Sequence, residues 1–317
     1  MRAGAAGLGG GLGPRYGPAV GGVVRVVSTD WDGGIAFDTD LDLARQALDG
    51  PELLITGGVH GDEFEPMVAC RRLIGLLGKD GPMRLLRGIL TIVPVVNEAA
   101  FLRGARAAED ELDLARICPG DEEGTTTEQT GAALSKLIVE ADYYIDLHTG
   151  GTIMAVVPMA GYGLHADPQI LEQQRNMAKA FNLPFVWGTW DGHEGRSLSV
   201  ARDAGVPAIY TEYGGAATCV PDAVEAYVDG CLNVMGMLNM IERQRPPSRI
   251  KHVVEDNRAN SGHMQVCYPS PMTGLFEPAV ELGQPIRSGE LLGTCLLYTS
   301  PSPRDGLYLV CRLLLEK

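Results

Sequence analysis

Short apolar runs alternate along the chain with stretches in which apolar side chains recur every three to four residues, and each change of period marks a change of element. The runs predict strands over 23–28, 52–58, 89–96, 143–148, 153–158 and 207–212. The helical period predicts helices over 64–78, 126–141, 167–181, 196–204 and 221–243. Strands and helices that alternate in this way predict an α/β fold with a sheet covered by helices on both faces. The polar, doubly proline stretch RQRPPSR at 244–250 reads as a linker, after which the helical period stops. Residues 251–294 carry strand-sized pieces between Gly and Pro and predict a small β domain that is cut short.

Both ends of the chain are set apart. Residues 1–20 are Gly-rich without periodicity and read as a flexible start, so that the main domain spans 21–243. Residues 295–305, CLLYTSPSPRD, back-translate to DNA that resembles a transposase-type sequencing adapter. LVCRLLLEK at 309–317 back-translates to the far end of the same adapter, so 295–317 are expected to be a sequencing artefact without a place in the fold.

Composition narrows the class. The chain has 317 residues, 45% of them hydrophobic, enough to bury a large core without disulfides or metal staples. Lys and Arg total 26 against 40 Asp and Glu, and a formal charge of −14 argues against a nucleic-acid partner. It does not exclude a small anionic substrate, because a few arginines in a cleft outweigh a screened surface field. No apolar run is long enough for a membrane span, and the seven scattered cysteines never fall in CxxC spacing. The expectation is a cytoplasmic protein with reduced thiols and no membrane partner; an assembly of identical chains is left open.

Three strand ends carry the candidate chemistry. In LLITGGVHGDEFEP at 53–66 an apolar run gives way to His60 and Glu63, an i, i+3 pair that lets an imidazole and a carboxylate converge on one metal ion. On its own, HxxE is a common chance spacing. YYIDLHTGG at 143–151 ends a strand at Asp146 and His148, and His148 would be a third ligand; the plainer alternative is a strand-end histidine satisfied by its neighbours. VPAIYTEYGG at 206–215 places Glu212 at another strand end, either as a general base or as a cap for the following turn. Together the three supply what a two-His, one-Glu zinc hydrolase needs.

GVHGDE, a loop of the form R…DLxRxxPG, DLH and ExGG, in this order, resemble the succinylglutamate desuccinylase and aspartoacylase family, relatives of the zinc carboxypeptidases, over about residues 50–294. The resemblance implies a carboxypeptidase-like mixed sheet flanked by helices, followed by a small β domain. It places one zinc ion on His60, Glu63 and His148, and the base on Glu212. It also implies that Arg106 polarises the scissile carbonyl, with Arg103 as a substitute, and that Arg116 grips a substrate carboxylate. Arg196 resembles a second carboxylate arginine, although a solvated helix face explains it equally. Ala115 stands where the family has Asn, which removes one hydrogen bond to that carboxylate. Trp187, Trp190 and His193 are read in a polar loop, FVWGTWDGHEG, that either walls the pocket or is simply packed; His165, His252 and His263 are left structural. The implied activity is zinc-dependent hydrolysis of the amide of an N-acyl amino acid or related small amine, with a relative that acts on N-acetylated diaminobutyrate as close as the aspartoacylases. The alternatives are a carboxypeptidase-type peptidase and a non-catalytic binding relative.

Overall fold

The computed structural model describes residues 22–29, 35–37, 49–78, 80–263 and 274–296. The start expected to be flexible and residues 297–317 lie outside the described residues.

In chain order the elements are β1 (Val23–Thr29), β2 (Ile35–Phe37), β3 (Glu52–Thr56), α1 (Phe64–Leu77), β4 (Ile89–Val93), α2 (Glu98–Arg103), α3 (Leu114–Ile117), α4 (Thr126–Glu140), β5 (Tyr143–His148), β6 (Ala155–Gly163), α5 (Pro168–Phe181), β7 (Phe185–Thr189), α6 (Ser197–Ala204), β8 (Ala208–Gly215), α7 (Pro221–Met237), β9 (His252–Asp256), β10 (Leu275–Pro278) and β11 (Gly293–Leu296). A nine-stranded mixed sheet runs β2-β1-β4-β3-β5-β8-β6-β7-β9. From β1 to β8 the neighbours are parallel, and β6 enters antiparallel to β8. The alternating pattern therefore folds into the helix-covered α/β sheet that it predicts, and the antiparallel β6 makes the sheet mixed, as the family resemblance implies.

Side-chain alternation explains why both faces are covered. Leu53 and Ile55 of β3 pack with Cys70 and Leu73 of α1, Phe181 of α5 and Tyr227 of α7. Leu54, one residue out of phase, packs on the opposite face with Leu134 and Ile138 of α4 and Ala201 of α6. A strand buried on both sides reads as an unbroken apolar run, which is why ELLIT and ILTIV are legible as strands. Local signals start the helices: Asp167 accepts hydrogen bonds from the Gln169 and Ile170 amides ahead of Pro168, and the Glu128 carboxylate accepts from the Thr125 amide.

The structure moves several boundaries. The strand expected over 153–158 runs instead from Ala155 to Gly163. Pro158, which has no N–H for a ladder, falls within the register shift between Val156 and Met159, where a bulge tolerates it. Residues 185–189, read as the start of a polar loop, form β7. The last helix ends at Met237 rather than 243, with Asn239 at φ 56 turning the chain back. Among the described residues of 251–294, the strands fall in two sheets. His252–Asp256 pairs parallel with β7 and extends the main sheet, while Leu275–Pro278 and Gly293–Leu296 form a separate antiparallel pair. Cys295, assigned by sequence to the artefact, lies in that pair opposite Phe276.

Parallel alignment brings the carboxyl ends of β3, β5 and β8 to one edge, where an α/β sheet opens a crevice. Thr56 is in register with Asp146, and His148 with Glu212.

Candidate metal and active site

The loop after β3 is drawn inward, and His60, Asp62 and Glu63 are all buried. Glu63 reaches both histidines: its Oε1 lies 2.6 Å from His60 Nδ1 and its Oε2 lies 3.0 Å from His148 Nδ1. The Thr149 amide also donates to Oε2, at 3.1 Å. The two imidazole centroids are 5.3 Å apart, and one ligand atom from each of the three residues falls within 4.8 Å of the others.

The far nitrogens of the two rings are oriented by other carboxylates. His60 Nε2–H donates to Asp113 Oδ1 at 3.1 Å, and His148 Nε2–H to Asp146 Oδ2 at 3.0 Å. An ionised carboxylate only accepts, so each bond places a proton on Nε2 and turns Nδ1 toward Glu63, where it carries a proton in the metal-free chain and offers its lone pair once that proton is released to make way for a metal. Asp146 is itself held by Thr56 Oγ1 at 2.8 Å and Ser197 Oγ at 2.5 Å. Its role was readable from strand period alone, since Asp146 and His148 are i, i+2 and share a face; the sequence reading noted the residue without assigning it one.

The electrostatics demand positive charge at the centre. Burial opposes the charged form of every group here, yet the fields of Glu63 and Asp113 hold the His60 imidazole above its ordinary value. Asp146 and Glu63 hold His148 far above it, again against burial. The histidines in turn hold Glu63, Asp113 and Asp146 below the usual carboxylate range. A divalent cation answers the same field as protons on the two Nδ1 atoms, and two imidazole nitrogens with a carboxylate are a donor set that suits it. The residues present therefore fit a metal ion.

Glu212 is the exception in this cluster. Burial most of all, with the charges of Glu63 and Asp146, pushes its carboxyl up to about 8, although His148 draws it down. Its Oε2 is buried without a hydrogen-bond partner among the described residues. The folded metal-free chain thus keeps a proton that the unfolded chain has already released, so this group's contribution to stability falls as pH rises from about 4.5 and is lost above about 8. Glu212→Gln removes that slope. Thermal unfolding in chelator is expected to show the variant stabilised by on the order of 3 kcal/mol at pH 8 and hardly at all at pH 4.5; a pH-independent difference would contradict it.

The cluster opens into a cavity of about 300 Å³ whose lining includes His60, Glu63, His148, Glu212, Arg106, Arg116 and Arg196. The three candidate ligands, the candidate base and the three arginines Arg106, Arg116 and Arg196 are thus brought to one cavity. Arg106 spends Nε and Nη2 on Asp113 Oδ2, at 3.2 and 3.0 Å, which leaves Nη1 beside the ligands, 3.9 Å from Glu63 Oε1. Arg103 is committed to the carbonyls of Ala107 and Ala108, so the structure does not use it as the substitute. Arg116 and Arg196 come together because the Cys118 amide bonds to the Gly195 carbonyl at 3.0 Å. A Cβ at Gly195, φ +77, would lie 2.2 Å from the Arg116 carbonyl oxygen, so the close approach requires glycine. Burial, and then the Arg116 charge, lower the Arg196 guanidinium from its ordinary value. Ala115 lines the same wall.

Trp187, Trp190 and His193 also line the cavity. Ser261, from the segment after β9, accepts from the Trp190 amide at 2.7 Å and, through its carbonyl, from His193 Nε2 at 2.9 Å. His263, left structural by sequence, stands 5.8 Å from the His193 ring. Among the described residues no helix is long and apolar enough to cross a membrane.

The sequence profile of the succinylglutamate desuccinylase/aspartoacylase catalytic domain matches residues 49–238. An N-alpha-acetyl-L-2,4-diaminobutyric acid deacetylase of Halomonas elongata is 28% identical over 247 residues, 77% of this chain and 70% of that protein. The crystal structure of a succinylglutamate desuccinylase/aspartoacylase from Rhodobacter sphaeroides is similar with a TM-score of 0.71 at 26% identity, covering 91% of this chain and 85% of that one. The product-bound ectoine utilization protein EutE (DoeB) from Ruegeria pomeroyi gives 0.68 at 27% identity, over 80% and 76%.

Proposed function

Because the chain belongs to the succinylglutamate desuccinylase/aspartoacylase family, we propose that it is a zinc-dependent deacylase that hydrolyses the amide bond of an N-acyl amino acid or related small N-acylated amine, releasing a carboxylate and the free amine. The observation that carries the reading is the convergence of both Nδ1 atoms on the two oxygens of Glu63, with Glu212 in register beside His148.

His60, Glu63 and His148 would hold one zinc ion. When bound, zinc lowers the pKa of water and polarises a carbonyl. Glu212, in register beside His148 and lining the same cavity, takes the proton of the attacking water and passes it to the leaving nitrogen. Arg106, fixed by Asp113, presents Nη1 to the carbonyl oxygen as negative charge develops there. Arg116 and Arg196 are donor-only groups at the same cavity, and they hold the carboxylate of the amino-acid half. The deacetylase activity named for the Halomonas relative supports an N-acyl substrate of this size. The thiols of Cys70, Cys118, Cys219, Cys231 and Cys295 are all free, which supports the cytoplasm as the compartment.

Amine release from the zinc-loaded protein, assayed against N-acetyl and N-succinyl amino acids, N-acetyl-diaminobutyrate and simple dipeptides, tests the reading. Turnover is expected for one or more acyl amino acids. Turnover confined to dipeptides would replace the deacylase with a peptidase.

A further inference from the structure

One phenol in the cavity wall has no part in the chemistry above. Tyr210 and Glu212 are i, i+2 on β8, so both side chains stand on the same face of the sheet, and both line the cavity. The neighbouring strand makes room for the ring. Gly161 of β6 is the register partner of Tyr210, and a Cβ there would lie 2.3 Å from ring atoms Cε1 and Cζ and 2.6 Å from the hydroxyl oxygen. The ring therefore lies across glycine backbone, where any side chain would displace it.

The hydroxyl makes no hydrogen bond to another described residue, in a site where most polar groups are committed. Its charged neighbours are Glu212 and Arg196. Burial and the Glu212 charge hold the phenol above its ordinary range, against Arg196, so it remains an O–H donor wherever the protein is folded. A donor of this kind, left unpaired in a cavity beside a guanidinium, calls for an anionic acceptor.

We propose that Tyr210 is a substrate-binding residue that donates its phenolic O–H to the carboxylate of the substrate's amino-acid half, sharing that anion with Arg196. The proposal rests on the deacylase reading for the identity of the ligand, and it assigns Tyr210 to specificity rather than to chemistry. The side chain that answers this description lies two residues before the base, on the strand that carries it.

Tyr210→Phe keeps the ring over Gly161 and deletes only the donor. Calorimetric binding to zinc-loaded protein carrying Glu212→Gln, which prevents turnover, is compared with and without Tyr210→Phe, using an N-acyl amino acid that the protein hydrolyses or, if it hydrolyses none, N-acetyl-diaminobutyrate. The matching N-acyl alkylamine, which lacks the carboxylate, is the control ligand. Loss of a hydrogen bond to a charged group is expected to weaken the first ligand about tenfold or more and to leave the control within twofold. In the enzyme with Glu212 intact, Tyr210→Phe is expected to raise KM with kcat within about threefold. Equal weakening of both ligands, or none, would overturn the proposal, as would failure of the carboxylate ligand to bind the parent protein. Absence of amide turnover in the intact enzyme with normal carboxylate binding would instead defeat the deacylase reading and leave the Tyr210 comparison decisive.

Discussion

Glu212→Gln is expected to lower kcat by about 10³-fold while the protein keeps its metal and its affinity for substrate, since removing a positioned acid–base group costs on the order of 10²–10⁴. Gln matches the shape of Glu and cannot carry a proton between water and the leaving nitrogen. The metal should be retained because Glu212 contributes no contact to the mutual arrangement of His60, Glu63 and His148. The same substitution is expected to stabilise the metal-free chain at high pH, since it deletes a buried carboxylate whose Oε2 has no partner among the described residues. Loss of activity with a gain in stability is the signature of a group placed for chemistry at the expense of the fold. Steady-state kinetics, metal analysis and unfolding on one preparation check all three; activity within tenfold of the parent would remove Glu212 from its role.

Glu63→Gln has the second large effect, of the opposite kind. Glu63 is the hub of the cluster, with one oxygen on each imidazole, so its removal is expected to abolish stable metal binding and activity together. Without its charge, His60 loses the largest attraction that raises its imidazole above the ordinary value, and His148 loses one of the two charges that raise it. Breaking a buried charge cluster in this way costs about 3–5 kcal/mol. The folded Glu63 carboxyl is held below its ordinary value, so this stabilisation is present above about pH 4.5 and fades as the pH falls below it. Metal analysis and unfolding at pH 7 and pH 4 check the prediction, and a variant that retained one metal ion with parental stability would contradict it. Asp146→Asn, which removes a charge and an acceptor behind His148 but no metal ligand, is expected to weaken metal affinity by about 10–100-fold without abolishing it.

The site was legible in sequence because its residues lie at or just beyond apolar strand segments. His148 closes the mostly apolar YYIDLH of β5, and Glu212 follows AIYT in β8, which the structure continues to Gly215 rather than ending at Glu212. The His60 and Glu63 pair was visible as a spacing. Its meaning came from two other segments that only a parallel sheet brings alongside, through the register that joins Thr56 to Asp146 and His148 to Glu212. Residues that orient others were harder to see. Asp113 holds His60 with one oxygen and Arg106 with the other across a loop, and no local pattern encodes that span.

Edges and breaks account for the boundaries that moved. Pro158 reads as a strand end because it lacks an N–H, and only the bulge opposite β8 shows how the strand continues through it. β9 is exposed over most of its length, so its sequence lacks the apolar run of the central strands, and its membership of the main sheet is set by pairing with β7. Arg103 and Arg106 are nearly equivalent in FLRGAR; the carbonyls of Ala107 and Ala108 that occupy Arg103 appear only when the turn is folded.

The central claim is that His60, Glu63 and His148 hold one zinc ion on which amide hydrolysis depends, and titration of the chelated protein with zinc tests it most directly. Amine release from an N-acyl amino acid is expected to be absent from the chelated protein, to rise in proportion to added zinc and to level off at one equivalent per chain. Full activity in the chelated protein, or activity that rises with zinc equally in Glu63→Gln, would contradict the account.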